Sequence, residues 1–351
     1  MNMAFRRKEK TMPAFVKALA AAAILCTTSP ASAQSVADFY KGKTIQIVVG
    51  FGAGGGYDLY ARALGRHLGK YVPGNPNVVV QNMEGAGSVR AANYVYAGSP
   101  KDGTVIAAVN QNAPMYQLLG GVGARFEAAH LQWLGSMTNS NGTVYTWHTS
   151  GIKTLDDAKL KEVPMGAVGA QSDSVIFPNL MNEMLGTKFK PITGYAGSTQ
   201  IHLAMERGEV MGRGGNSWSS LQTANASWIK ENKINMLVQV GFEKEPDLPN
   251  VPLLLDLVKD EENKGVIRVI SLPTAIGYGH WLAPEVPKDR LAALRTAYSA
   301  VMKDPEFIKE TEKTRMDIRV QTGAEVEALV NRVIKTPQPV LDRTAQILKW
   351  K

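Results

Sequence analysis

Residues 44–71, TIQIVVGFGAGGGYDLYARALGRHLGKY, constrain this chain more than any other stretch. Ile45, Ile47, Val48 and Val49 form a β-branched apolar run that reads as a buried strand. Positions 50–56 are then mostly glycine, and beyond them Tyr57, Ala61, Leu64, Leu68 and Tyr71 recur on one helix face. The unit is strand, glycine loop, helix. Glycine lets backbone approach a ligand closely, and the first helical turn presents N–H groups without intrahelical partners at the positive end of its dipole. Such a turn attracts an anion.

Two kinds of anion fit. Gly50, Gly52 and Gly55 spell GxGxxG between a strand and a helix, the dinucleotide fingerprint, which would make the chain a dinucleotide-dependent oxidoreductase. That fingerprint also needs an acidic residue at the end of the next strand. Here Gln81 and Asn82 stand there, with Glu84 arriving late. The beginning of the chain weighs further against a nucleotide. Arg6, Arg7, Lys8, Lys10 and Lys17 precede or flank the short apolar run Ala18 to Cys26, and Ala31-Ser32-Ala33 is an A-x-A cleavage signal. Residues 1–33 thus read as a signal peptide cut near Ala33, and the mature protein as periplasmic.

Export changes the rest of the arithmetic. The leader takes the one cysteine, Cys26, so disulfide and thiol chemistry leave with it. Behind it remain 34 basic and 30 acidic residues, a net +4 that suits anionic small molecules and shows no basic stripe for nucleic acid. No later apolar run approaches the ~20 residues of a membrane span. What remains is long enough for about two domains of ~150 residues.

Strand–loop–helix units repeat along the chain and predict a parallel sheet. Val78 to Val80, Gly85 to Ser88 and a helix over Val89 to Ala97 form the second unit; Thr104 to Val109 is a third strand, ending at Asn110, Gln111 and Asn112. Ligands of open α/β sheets bind beyond such strand ends. Trp133 to Met137 and Thr143 to Trp147 flank a polar crossing into a second lobe. There, Thr154 to Asp157 has capping-box spacing, Val163 to Val168 is a strand, and Ser172 precedes a helix ended by Gly186. Arg213 to Trp218 makes a glycine-rich strand end, and Asn235 to Val240 another strand. The run Val269 to Leu282 reads as the return crossing, with helices only beyond it, one of them capped by Asp289.

Catalytic readings do poorly, and no catalytic residue, metal site or cofactor is expected. The five histidines (67, 130, 148, 202 and 280) lie far apart without short ligand spacing, and no G-x-S-x-G elbow occurs. Asp58, in the first helical turn, reads as a cap that pairs with Arg62 four residues on. Tyr57, Tyr195, Trp218, Tyr278 and Trp281 can line a cleft or pack a core, and Arg90 and Arg213 can meet a second carboxylate or lie on the surface.

The leader, the run Gly52 to Gly56 followed by Asp58 and Ala61-Arg62, Gln81-Asn82 with Gly85-Ala86-Gly87, Pro100 to Thr104, Gly208-Glu209-Val210 and Leu248 to Pro252 together resemble the Bug-type periplasmic receptors of tripartite tricarboxylate transporters. The resemblance implies an α/β, two-lobed periplasmic-binding-protein fold, type II-like, with the ligand cleft between the lobes. Lobe 1 would comprise residues 34–139 and 273–351, and lobe 2 residues 140–272. It implies a monomer that binds a small organic carboxylate (di-, tri- or aromatic) and delivers it to one large and one small membrane permease subunit. A receptor that signals to a membrane sensor is the third reading. In the family, one carboxylate is held by main-chain amides and ordered waters of two glycine loops, which here are Phe51, Gly52, Ala53, Gly54, Gly55 and Tyr57, then Gly85, Ala86, Gly87 and Ser88. Gln111 and Asn112 add a third strand end, and the opposite lobe would contribute Ser172, Tyr195, Asn216 and Trp218. Met211-Gly212-Arg213 departs from the family, where many relatives carry Asp after Gly-Glu/Asp-Val.

Overall fold

The apolar run at 45–49 becomes β1 (Thr44–Val49), whose Ile45, Ile47, Val48 and Val49 are fully buried. The computed structural model describes residues 1, 3, 35–170 and 172–348, and the expected leader, apart from Met1 and Met3, lies outside them. Parallel to β1 on either side run β2 (Asn77–Asn82) and β3 (Val105–Ala108), as the repeated strand–loop–helix units predict. Next come β4 (Gln132–Ser136), β5 (Gly142–Trp147), β6 (Val163–Gly166) and β7 (Phe189–Ile192). The remaining strands are β8 (Gly212–Ser217), β9 (Ile234–Val240), β10 (Gly279–Leu282) and β11 (Gln321–Thr322).

These strands form two sheets, ordered β11-β4-β10-β3-β1-β2 and β7-β6-β8-β5-β9. The chain leaves the first sheet after β4, enters the second at β5, and returns at β10, which is antiparallel to both β3 and β4. This is the two-lobed fold that the resemblance implies.

Several details differ from the reading of the sequence. The run Val269 to Leu282 is mostly helix: Glu261–Ile276 forms 16 residues with Val266, Ile267, Val269, Ile270, Pro273 and Ile276 buried, capped by Asp260, whose carboxylate accepts from the Asn263 N–H at 2.9 Å. Pro273 lies in its last turn and has no N–H to donate to the Val269 carbonyl one turn back. Helices do not fill the whole C-terminal part, since β11 pairs with β4. Asp289 lies in a first turn whose cap position is Pro287. The helix expected over Val89 to Ala97 is broken into a 3₁₀ turn (Ala86–Ser88), an α-helix (Val89–Asn93) and a π turn (Tyr94–Gly98). The last helix, Gln338–Leu348, places Leu341, Ala345 and Leu348 in one core with Phe177, Leu180 and Met181 of the helix Asp173–Leu185. Among the described residues no helix is long and apolar enough to cross a membrane.

The return to the first sheet turns on Gly277, at φ +61° and ψ −138°, a conformation essentially restricted to glycine. A Cβ there would collide with the Thr138 carbonyl and lie 2.8 Å from Asn139 Cα. Gly277→Ala should therefore cost at least about 2 kcal/mol, read as a lower urea midpoint, because both backbone strain and overlap oppose it.

Candidate functional site

The glycine loop after β1 is held by a carboxylate rather than by its own turns. Asp58 stands in the first turn of the helix Gly56–Leu68 and is 2% exposed. It accepts from the Gly54 N–H at 2.9 Å, from Arg62 Nε at 3.0 Å and from Asn82 Nδ2 at 2.9 Å. Asn82, at the end of β2, also donates to the Phe51 carbonyl at 2.9 Å and accepts from Arg62 Nη2. Burial alone would raise the Asp58 pKa, but the bonds from Arg62, Gly54 and Asn82 outweigh it and keep the carboxyl below its ordinary range. Asp58 thus takes the structural role read from its spacing. Asn82, the residue where a dinucleotide fold would carry its ribose-binding acid, is committed to this loop.

Between the two sheets lies a cavity of about 50 Å³. Three helix N-termini reach its wall, at Gly55 and Gly56, at Ser172 and Asp173, and at Ser217 and Ser220. Their dipoles favour negative charge. Phe51, Tyr57 and Tyr278 form an aromatic side, with ring centroids 4.6 and 4.5 Å apart along the series. The Tyr57 hydroxyl accepts from the Gln111 N–H at 2.8 Å, and the Tyr278 hydroxyl lies 2.6 Å from Ser217 Oγ. Beneath, Asn216 Nδ2 donates to the Tyr145 hydroxyl, which lies 3.0 Å from His202 Nε2.

Of the residues expected to bind ligand, Phe51, Gly55, Tyr57, Gln111, Ser172 and Asn216 line this cavity. The others stand off it. Gly52 and Ala53 are on the rim, where the Gly52 N–H donates to the Ala196 carbonyl and Thr199 Oγ1 donates to the Ala53 carbonyl, each at 3.0 Å, so the lobes touch there. Gly54 turns the loop at φ +81°. Gly85, Ala86, Gly87 and Ser88 all have positive φ and make a tight turn, in which Ser88 Oγ accepts from the Asn110 N–H at 3.1 Å. Asn112 is buried and donates from Nδ2 to Asp173. Tyr195 packs against the core around Tyr145 and Trp228, and Trp218 is buried there with its indole N–H on Asp247 at 3.3 Å. Gly56 and Asn110, within two of the expected strand ends, also line it, whereas reading by residue type missed Asp173, Ser198 and Ser220. Asp173 carried a signal, an acid beside Ser172 at a helix start, but there it reads equally as a cap.

The charged groups of the cavity are Asp173 and Arg213. Burial pushes the Asp173 carboxyl up to about 6, against the opposing pull of Asn112, Gln111 and Arg213. Arg213 is 3% exposed; burial lowers its pKa, and its Nη1 has no hydrogen-bond partner. The Tyr57 and Tyr278 hydroxyls are held neutral by burial. The histidines do other work: His67 bonds Asp304 and Glu310, His202 is held uncharged by burial beside Tyr145, and His280 is buried against Tyr298. His67, Asp304 and Glu306 lie close enough to hold a metal, but the Lys70 ammonium already pairs with both acids.

The raised pKa of Asp173 means that the folded state binds its proton more tightly than the unfolded chain. The stability it contributes is present below the ordinary carboxylate pKa and is lost as pH rises through about 6. Ligand-free wild type should therefore lose stability relative to Asp173→Asn between pH 4 and 7, by up to roughly 3 kcal/mol. Melting curves of the two proteins that stayed a constant distance apart across that range would show the shift to be absent.

No protein-family model matches the chain. A Cupriavidus necator protein described as "UPF0065 protein in gbd 5'region" is 24% identical over 335 residues, covering 93% of this chain and 94% of the relative. Protein BugT of Bordetella pertussis is 38% identical over 97 residues, 28% of this chain and 29% of BugT. Among solved structures, the periplasmic binding protein BugD matches with a TM-score of 0.67 at 19% identity, over 88% of this chain and 98% of BugD. MatC from Rhodopseudomonas palustris, solved with bound malate, matches with a TM-score of 0.66 at 18% identity, over 87% and 99%. At these identities the structures speak for the fold, which is that of a two-lobed periplasmic binding protein. In sequence the chain is thus similar to a UPF0065 protein and, over a shorter stretch, to BugT, and in fold to BugD and MatC.

Proposed function

We propose that the protein is an extracytoplasmic receptor that captures a small organic carboxylate between its lobes and delivers it to a tripartite tricarboxylate-type permease of one large and one small membrane subunit. It works as a monomer in the periplasm after its leader is removed near Ala33. The observation that carries this reading is Arg213, a buried cation on the cavity wall whose Nη1 has no partner. A buried cation short of hydrogen-bond partners is costly, and an anionic ligand would supply them. The helix N-termini at Gly55 and Ser172 add to the same field. Solved relatives support the class of ligand, since one holds malate and another, from R. palustris, adipate.

A thermal-shift screen of organic acids tests the reading. A ligand at ~100 times its dissociation constant should stabilise the protein by ~2.7 kcal/mol. At ~2–4 °C per kcal/mol, the melting temperature should rise by several degrees. Stabilisation by NAD(H) or NADP(H), with carboxylates inert, would instead favour the oxidoreductase, and capture of a sensor ectodomain in place of permease subunits would favour signalling.

Gly56 offers a sharper handle. It opens the helix with ordinary negative φ, so alanine suits its backbone, yet the added methyl would press on the Tyr278 hydroxyl and on Ser220 Oγ at 2.8 Å. Gly56→Ala should keep the ligand-free melting temperature within a few degrees and weaken carboxylate binding at least tenfold by calorimetry. Unchanged affinity would place the ligand elsewhere.

A further inference from the structure

Two opposite charges line the same small cavity without touching each other. Arg213 lies on β8, its Nε reaching only the Gly214 carbonyl at 3.5 Å and its Nη1 bonded to nothing. Asp173 opens the helix Asp173–Leu185 and receives two hydrogen bonds, from Gln111 Nε2 at 3.2 Å and from Asn112 Nδ2, both neutral amides of the opposite lobe. Among the described residues no lysine or arginine forms an ion pair with it. A carboxylate offers about four lone-pair positions, so Asp173 has acceptor capacity left. The backbone keeps the pair apart. β8 runs beneath the start of the helix with Gly215 against Asp173, leaving no room there for even a Cβ, while Arg213 sits two residues earlier on the same strand.

A pair of buried charges that compensated each other would stand in contact. Here both groups line the cavity instead, with no ion pair between them. We infer that the ligand of this cleft is a small zwitterion, its carboxylate on Arg213 and its protonated amine on Asp173. A dicarboxylate would bring its second negative charge toward the Asp173 carboxylate, and a simple amine would leave Arg213 uncompensated. An amino acid neutralises both groups and adds no net charge to a buried site. The inference rests on the receptor reading and narrows it.

Calorimetry on the mature chain, with pairs of ligands that differ only in the amine, decides it: glycine against acetate, alanine against propionate, aspartate against succinate. At least one amino acid should bind wild type tenfold or more tightly than its amine-free partner. Asp173→Asn should remove that preference by weakening the amino acid at least tenfold, with the plain acid bound as tightly as by wild type or more so because a repelling charge is gone, and Arg213→Gln should weaken both members of the pair. Ligand-free melting curves check that the variants fold; should Arg213→Gln unfold, Asp173→Asn decides alone. The inference fails if the amine-free acid binds as well in every pair, if Asp173→Asn weakens both members alike, or if only other acids of the wider screen bind. That last pattern would leave the receptor reading standing, whereas binding of no acid at all would remove both.

Discussion

One buried carboxylate organises the approach to the cleft. Asp58 gathers the Gly54 amide of the loop, the Arg62 guanidinium of the following helix and the Asn82 amide at the end of the neighbouring strand. Through Asn82 it also fixes the carbonyl of Phe51, whose ring is the outer member of the aromatic wall. Glycines make the loop possible but would not hold it, since each has more backbone freedom to lose than any other residue. A charge that is fully satisfied by hydrogen bonds in a buried place supplies the missing restraint. Because its pKa is depressed on folding, this restraint is present above the ordinary carboxylate range and weakens as acid protonates it.

On that frame the second lobe sets its own polar groups. The rims meet at two main-chain carbonyls, Ala196 accepting from the Gly52 N–H and Ala53 from the Thr199 hydroxyl. Inside, the two lobes contribute unlike parts. The first brings the aromatic wall and the amides Gln111 and Asn112; the second brings Asp173, Arg213 and Asn216. The departure at Met211-Gly212-Arg213 thus falls on the strand that carries the buried cation, where Gly212 lets the backbone lie close to β5 and Gly214 and Gly215 let it pass close to the helix above.

Local signals along the chain were legible because they depend on neighbours in sequence. The capping boxes at Thr154 with Asp157 and at Thr322 with Glu325 form, the helix after Ser172 stops at a left-handed Gly186, and Asp58 pairs with Arg62 one turn on. Each reads from spacing, since helix geometry places those groups together wherever the helix lies. The run Val269 to Leu282 carries the return crossing at Gly277, as its glycines suggest, but its first half is helix, because burial of Val269, Ile270 and Ile276 against the core overrides the weak local preference set by Pro273.

By itself, then, the sequence determined the strand–glycine loop–helix unit, the alternation that builds two sheets, and the landmarks that point to the receptor family. Tertiary structure alone decided which residues face the cavity. Trp218 and Tyr195 turn into the second-lobe core, Ser88 closes a tight turn, and Asp173 and Arg213, 40 positions apart, come to one wall because a helix start is laid across β8. Side chains converge across a cleft through the packing of elements far apart in the chain, and no spacing within one element records that convergence.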